Sequence, residues 1–178
     1  MAPPTMLSLE AALARLRGAV NPWPATESEP VSTFAALGRV LAQDLGSSLD
    51  VPPGDNTSMD GYALRCADLA AAGGVLPVSQ RIPAGAVAAP LQPGTAARIF
   101  TGAQIPAGAD AVVMQEQCTL EGGAVRIAGM PTPGQWIRRR GEDVRQGDVV
   151  LPLGSRLTPQ AMGLAATVGA VTLNVARR

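Results

Sequence analysis

The sequence predicts an α+β protein that is mostly β. Through the middle of the chain, short apolar runs alternate with turn residues rich in proline and glycine, a pattern typical of a compact β domain of short strands. Longer stretches with helical spacing of apolar residues are confined to the two ends. The 20 glycines and 16 prolines are dispersed without a period, which favours many turns and argues against a collagen-like or disordered chain.

The N-terminal elements are predicted to be helical. Ser8 is expected to cap an alanine-rich helix that continues through Arg17 and ends at Gly18. The proline-containing stretch over residues 21–30 is interpreted as a linker. Apolar residues then recur at helical spacing, which predicts a second helix over residues 33–43.

The C-terminal elements are predicted to be a helix and a strand. Thr158 and Pro159 form an N-cap followed by proline at the first helical position. The helix is expected to run to Val168 and to end at Gly169, because glycine is favoured just past a helix end. Residues 170–176 then alternate into a final strand.

The β-rich middle is expected to contain one short helix, over residues 66–72, and six brief strands. Because helices bracket this region, we expect one discontinuous helical and mixed lobe built from residues 1–45 and 147–178. A β-rich domain is then inserted at residues 46–146. The predicted strands cover residues 62–64, 96–100, 111–115, 124–128, 137–139 and 149–151.

Composition excludes several classes of function. Fourteen basic and fourteen acidic residues give a formal net charge of zero, which is poor support for a nucleic-acid-binding protein. The chain has no histidine, so a histidine-based catalytic triad or zinc site within it is ruled out. Cys66 and Cys118 are isolated and show neither metal-ligand spacing nor a disulfide framework. Without an apolar run that could span a bilayer or a secretory signal, the expectation is a reduced, cytoplasmic protein with no membrane partner.

Three segments concentrate the residues that suit chemistry. The first, VPPGDNTSMDGYAL at residues 51–64, places Asp60 between a bulky apolar residue and Gly61. The second, ARIFTGAQIPAGADAVVMQE at residues 97–116, has a threonine-glycine turn after an apolar run. The third, QWIRRRGEDVRQGD at residues 135–148, has three arginines followed by two adjacent acids.

Taken together, MDGYA, RIFTGAQIPAGADAVVMQE and IRRRGED closely resemble the molybdopterin molybdenumtransferase family, known as MoeA in bacteria and as the gephyrin E domain in animals. The resemblance extends from about Leu7 to the end of the chain and includes ALGRVLAQDL at residues 36–45. Three ordered motifs are a far stronger signal than a single glycine fingerprint. The resemblance implies the family's N-terminal fold, in which a β domain is inserted into a discontinuous first lobe.

The resemblance implies catalytic residues at Asp60, Thr101 and Asp143, which would line one wall of an active cleft. From residue types alone, Asp60 is a turn former and Thr101 closes a turn on its own backbone. The alternative for Thr101 is that its hydroxyl and the nearby amides hold an oxyanion. Glu142 and Asp143 would face opposite ways in a strand, and the family motif favours Asp143 as the residue that points at Asp60.

Four further residues are expected to bind substrate or phosphate: Gly61, Gly102, Arg138 and Arg140. Alternation in a strand would place Arg138 and Arg140 on one side, where guanidinium groups suit bidentate oxyanions. The alternative is that these arginines pair with structural carboxylates.

Asp60 and Asp143 are also candidate metal ligands. If the two carboxylates approached to about 4 Å, they would repel by roughly 4 kcal/mol at an effective dielectric constant of 20. A shared proton, an arginine or a divalent cation would have to offset that repulsion. The family implies Mg²⁺, which prefers carboxylate and water ligands, and it implies molybdate and adenylylated molybdopterin as substrates, with molybdenum inserted as the adenylyl bond is hydrolysed.

The chain departs from the family pattern in two respects. Gly54 stands where the family generally has an aromatic residue before Asp-Asn. Nothing in the chain matches the family's α/β pterin-binding domain or its C-terminal β domain, so the 178-residue chain alone is expected to be inactive.

The family implies a homodimer in full-length members, with molybdopterin adenylyltransferase and proteins of the molybdenum-enzyme pathway as possible partners. The rival interpretation is a non-catalytic dimerisation, scaffold or protein-binding β module. A small Ca²⁺- or Mg²⁺-binding β domain is less well supported, because the chain has no dense acidic loop.

Overall fold

A computed structural model describes residues 6–19 and 27–177, which form two compact units. The first unit comprises the described residues up to Leu45 and those from Leu151 onward, and the second comprises Gly46–Val150. The described residues are mostly β with a few short helices, which confirms the predicted fold class. None of the helices in these two ranges is long and apolar enough to cross a membrane.

The helices are α1 (Leu9–Ala19), α2 (Cys66–Ala71) and α3 (Pro159–Thr167). The six strands predicted in the middle of the chain are all present, to within two residues at their ends. The strands are β1 (Ser28–Ser32), β2 (Leu45–Gly46), β3 (Asn56–Thr57), β4 (Gly61–Leu64), β5 (Val75–Ile82), β6 (Ala96–Ile99), β7 (Ala111–Met114), β8 (Cys118–Glu121), β9 (Ala124–Ile127), β10 (Ile137–Arg138), β11 (Val149–Leu151) and β12 (Thr172–Ala176).

The first unit has the two predicted helix caps. The backbone N–H of Ala11 donates to Ser8 Oγ at 3.2 Å, and that of Ala161 donates to Thr158 Oγ1 at 3.2 Å. Such bonds satisfy N–H groups that have no partner inside the helix. The predicted end of the first helix is wrong by two residues, since α1 continues past Arg17 through Gly18 to Ala19.

The helix predicted over residues 33–43 is wrong. Only residues 33–35 are helical, as a single 3₁₀ turn, and Gly38 follows in the left-handed region with a φ of 73°. Leu41 is buried, but Phe34 is 89% exposed, so the apolar spacing does not mark one buried face.

The linker predicted over residues 21–30 is also wrong in part, because β1 pairs antiparallel with β12, Ser28 opposite Ala176. Proline at position 30 is tolerated because β1 is an edge strand. The earlier part of that linker, residues 21–26, lies outside the described residues.

The second unit is built on a six-stranded sheet in the order β7-β4-β6-β5-β9-β8. All four residues of β4 are buried, because apolar clusters cover both faces of the sheet at this point. Tyr62 and Leu64 contribute to one cluster, and Ala63 contributes to the other. Alternate residues of a strand point to opposite faces, so β4 lies between two apolar cores.

Gly61 begins β4 because a neighbouring strand leaves no room for a side chain. A Cβ at this position would lie 1.9 Å from the carbonyl oxygen of Val113. Gly61 pairs with Ile99 on β6 and with Met114 on β7, so backbone surrounds it on both sides. The glycine is therefore required by strand packing, and its expected role in binding substrate stays a prediction.

We expect Gly61→Ala to lower the free energy of unfolding by about 3 kcal/mol, since the backbone would have to move to admit the methyl group. Gly54→Ala is the control, because a Cβ there meets only Gln104 Nε2, at 3.7 Å. The control should change stability by less than about 0.5 kcal/mol. Urea unfolding followed by circular dichroism measures both, and equal midpoints would contradict the packing argument.

Candidate functional site

Asp60 and Thr101 form a hydrogen-bonded pair. Asp60 immediately precedes β4, and Thr101 follows the end of β6, the antiparallel neighbour of β4. Oδ1 of Asp60 accepts hydrogen bonds from the Thr101 backbone N–H at 2.8 Å and from its hydroxyl at 2.7 Å. The sheet therefore brings together two of the three predicted catalytic residues.

The backbone leading into Asp60 is fixed by several hydrogen bonds. Thr57 Oγ1 donates to the Met59 carbonyl at 2.7 Å, and the Ser58 N–H donates to the Trp136 carbonyl at 3.1 Å. Trp136 itself has a φ of 55°, a conformation that non-glycine residues rarely adopt. The Asp60 carbonyl accepts from the Gln115 N–H at 3.0 Å, so the main chain is held on both sides of the carboxylate.

The carboxylate of Asp60 is held in its ionised form. Hydrogen bonds from the Thr101 amide and hydroxyl lower the pKa of Asp60, with a smaller contribution from the positive charge of Arg98. Oδ1 takes both bonds from Thr101, and Oδ2 has no hydrogen-bond partner in the described part of the chain. The pair therefore offers acceptors, namely Oδ2 and the lone pairs of the threonine hydroxyl, to a donor or a cation.

The turn after β6 is closed on itself. The Thr101 amide binds Asp60, the Gly102 amide donates to the Thr57 carbonyl at 2.9 Å, and the Ala103 amide donates to the Phe100 carbonyl at 2.8 Å. These three amides are engaged within the protein. An oxyanion hole built from them, which the sequence left open for Thr101-Gly102, would require these bonds to break.

The three consecutive arginines all pair with carboxylates, which is the alternative that the sequence had left open for them. Each guanidinium group has a different principal partner, and the partners of two of them lie far back in the chain. The pairs are Arg138 with Asp143 at 2.5 Å, Arg139 with Asp55 at 2.7 Å and Arg140 with Asp50 at 2.5 Å.

The predicted alternation along this segment is not present. β10 ends at Arg138, so Arg138 and Arg140 do not share one face of a strand. Glu142 and Asp143 lie in a bend, and both approach Arg138, Glu142 at 3.9 Å. Asp143, and to a lesser degree Glu142, raise the pKa of Arg138.

The structure does not join Asp143 to the Asp60–Thr101 pair. Arg138 on β10 lies opposite Asn56 on β3, and the Thr57 carbonyl of β3 accepts from the turn that carries Thr101. The Arg138–Asp143 pair and the Asp60–Thr101 pair are thus both connected to β3, but not to each other. Asp143 is neutralised by Arg138, so no cation is needed between it and Asp60.

The residues present do not form a metal site by themselves. Within residues 6–19 and 27–177, no group of three or more histidine, cysteine, aspartate or glutamate side chains could hold a metal ion. Asp143 is bound by an arginine and Asp60 has one oxygen without a partner, so these two residues do not make a Mg²⁺ centre.

A small pocket adjoins the Thr101 turn. Its volume is about 180 Å³, and its lining includes Asn56, Gly102 and Gln104. Pockets that enclose a drug-sized ligand are typically about 300–1,000 Å³. The pocket can therefore hold part of a large ligand but cannot enclose it.

Comparison with known proteins identifies the family. The model of the MoeA N-terminal region (domain I and II) matches residues 7–169. The molybdopterin molybdenumtransferase of Haemophilus influenzae is 43% identical over 166 residues, which are 92% of this chain and 40% of that protein. That of Synechococcus elongatus is 43% identical over 172 residues, 92% of this chain and 42% of that protein.

Solved structures agree. The molybdopterin biosynthesis MoeA protein from Pyrococcus horikoshii OT3 has a TM-score of 0.78 and 39% identity over 84% of this chain and 41% of its own. A further Pyrococcus MoeA structure has a TM-score of 0.80 and 32% identity over 98% of this chain and 45% of its own. The chain belongs to the MoeA N-terminal region family, as its three motifs indicate. It spans about two fifths of the length of the curated relatives that it matches.

Removing the threonine hydroxyl should raise the pKa of Asp60, because one of the donors that stabilise its ionised form is lost. We therefore expect a higher pKa in Thr101→Val, and a pKa close to that of the original protein in Thr101→Ser, which keeps the hydroxyl. A ¹³C NMR titration of the carboxyl group measures both. Identical titration curves in all three proteins would refute this role of the hydroxyl.

Acid should weaken the second unit. The pKa values of Asp50 and Asp55 are lowered from 3.8, chiefly by the backbone amides of Gln146 and Arg140 and further by arginine side chains. Because their folded pKa values are depressed, the stability they contribute is present above about pH 3.8 and is lost as pH falls through the folded values. Urea unfolding at pH 7 and pH 3 measures this loss of stability. The difference in the free energy of unfolding between the two pH values should be smaller in the double variant Asp50→Asn/Asp55→Asn than in the original protein. An equal difference in both proteins would contradict the role of these two carboxylates.

Proposed function

We propose that this chain is the N-terminal part of a molybdopterin molybdenumtransferase, which inserts molybdenum from molybdate into adenylylated molybdopterin in molybdenum cofactor biosynthesis. The observation that carries this proposal is the Asp60–Thr101 pair, formed by two of the family's motifs that are 41 residues apart in the chain. Relatives that are 43% identical to this chain bear the name of that activity.

The lowered pKa of Asp60 limits its role. A carboxylate that is ionised well below neutral pH is a weak general base, because efficient proton abstraction needs a pKa near the operating pH. We assign Asp60 the task of orienting a water molecule or a donor group of the substrate through Oδ2. Thr101 holds the carboxylate for that task through Oδ1.

In this proposal, the transferase activity of the full-length protein depends on Mg²⁺. The described residues hold no group of three or more carboxylate, thiol or imidazole side chains that could bind a cation, so the free acceptors of the Asp60–Thr101 pair are what this chain offers to the metal. Further ligands would come from the substrate and from the parts of the family fold beyond this region.

The remaining features of the proposal follow from the small pocket and the resemblance. Because the pocket beside Gly102 cannot enclose the pterin, a second wall is needed. We assign that wall to the family's α/β domain and to a second protomer of a homodimer. We also propose that the protein is cytoplasmic and that molybdopterin adenylyltransferase is the partner that delivers the substrate.

A chimera tests the function. Residues 7–169 would replace the matching region of the Haemophilus influenzae relative, and molybdenum insertion into adenylylated molybdopterin would be assayed with and without Mg²⁺. We expect activity in the chimera and none in the 178-residue chain alone. Asp60→Asn in the chimera should reduce kcat at least about tenfold, since the amide loses the charge that orients the donor.

The control for this test is Asp68→Asn, an exchange of the same kind at a carboxylate whose one hydrogen bond among the described residues comes from the Gly94 amide. It should leave turnover unchanged. Unchanged turnover in Asp60→Asn, with normal folding, would instead support a non-catalytic scaffold. An inactive chimera that folds would argue against the proposal as a whole.

A further inference from the structure

Arg98 is a positive charge in the middle of the sheet that makes no salt bridge within the part of the chain that the structure describes. It lies in β6 between the fully buried Ala97 and Ile99. Its Nη1 donates to the Gly61 carbonyl at 3.0 Å, and its Nη2 donates to Gln115 Oε1 at 2.5 Å. Both acceptors are neutral. These two hydrogen bonds therefore fix the position of the guanidinium group but do not neutralise its charge.

Two aromatic rings fix the orientation of this guanidinium group. The Cζ of Arg98 lies 4.5 Å from the centre of the Phe100 ring and 5.3 Å from that of Tyr62. Tyr62 is directly opposite Arg98 across the β4–β6 ladder, and Phe100 is two residues further along the chain, so all three share one face of the sheet. Stacking of this kind favours a single orientation of the planar cation.

The groups that Arg98 contacts surround the Asp60–Thr101 pair. Gly61 follows Asp60 directly, and the backbone of Gln115 donates to the Asp60 carbonyl. Phe100 directly precedes Thr101. One guanidinium group therefore connects the start of β4, the end of β6 and the residue after β7, which are the three backbone segments that set the position of the pair.

We propose that Arg98 is a positioning residue for the Asp60 carboxylate, acting through Gly61, Gln115 and Phe100. It locks the backbone on both sides of the pair, so that Oδ1 meets both donors of Thr101. The effect of Arg98 on the Asp60 carboxylate can be measured in this chain, whether or not the proposed function is correct. Only its effect on turnover rests on the proposed function.

Charge reinforces this role. The positive charge of Arg98 contributes to lowering the pKa of Asp60, after the two bonds from Thr101. The other charged groups nearby are Glu116, which accepts from the Gln115 amide at 3.3 Å, and Arg81, which lies over the Phe100 ring at 4.4 Å.

Arg81 provides a matched control. It lies directly opposite Arg98 in the parallel β5–β6 ladder and stacks on the same phenyl ring at nearly the same distance. Unlike that of Arg98, its guanidinium group makes no hydrogen bond within the described residues. Its removal takes away a stacked cation of the same type but leaves the links to Gly61 and Gln115.

The first test uses the 178-residue chain. Arg98→Met should raise the pKa of Asp60 in a ¹³C NMR titration and shift the Thr101 amide resonance, since the amide loses its fixed acceptor. Arg81→Met should leave the amide resonance unchanged. Arg98→Lys restores the charge without the fork, and should return the pKa towards its original value while the amide shift persists.

Gln115→Met covers the case in which Arg98→Met does not fold. Gln115 is exposed, and this exchange removes the acceptor of Arg98 while keeping the backbone bond to Asp60. Gln115→Met should shift the Thr101 amide resonance in the same direction as Arg98→Met, but by a smaller amount. An Asp60 pKa and a Thr101 amide that match the original protein in every folded variant would overturn the inference.

The second test uses the chimera. Arg98→Met should lower kcat about tenfold with little change in KM, because a misplaced carboxylate affects the transition state more than binding. In a chimera that already carries Asp60→Asn, Arg98→Met should not lower kcat any further. A further loss of kcat in the double variant would overturn the positioning role. If the unaltered chimera is inactive, the proposed function fails while the NMR result still decides the role of Arg98.

Discussion

The antiparallel pairing of β4 with β6 is the constraint on which the site depends. It sets the residue before β4 against the residues after β6, so two side chains far apart in the sequence meet without a dedicated loop. The pairing is tight because Gly61 allows the backbone of β7 to approach on the other side. The site is therefore built into the centre of the sheet, and its geometry is as stable as the sheet itself.

Around this centre, the arginines have two different tasks. Those of the third motif neutralise Asp50, Asp55 and Asp143 in surface pairs, which contribute little to stability. Arg98, in contrast, is used for its shape, since its fork and plane meet two neutral acceptors and two rings. Lysine could replace neither the fork nor the stacking.

The strands that could be predicted are those with a strong local signal. β4, β6 and β7 are short, nearly continuous apolar runs because both of their faces are buried. β2, β3, β5 and β8 were not predicted. β8 is mostly exposed, although the Gly122-Gly123 pair that joins it to β9 is a hairpin signal. The false helix over residues 33–43 shows that apolar spacing in a short segment cannot establish which residues are buried.

The site was less predictable than the fold. Family motifs pointed to Asp60 and Thr101, but nothing in their spacing indicates that they touch. Arg98 carried a signal that went unused, since it is the one charged residue in an otherwise apolar strand. The partners of Arg139 and Arg140 are 84 and 90 residues away, and exposed ion pairs leave no pattern that would identify them.

The pairing of β1 with β12 also bears on the order in which the protein is made. Ser28 meets Ala176, so the first unit cannot complete its core until residues up to Ala176 have left the ribosome. The second unit contains all of its own strands from Gly46 to Val150 and can fold while translation continues. During synthesis, β1 therefore stays without its partner β12 while the strands of the second unit are made.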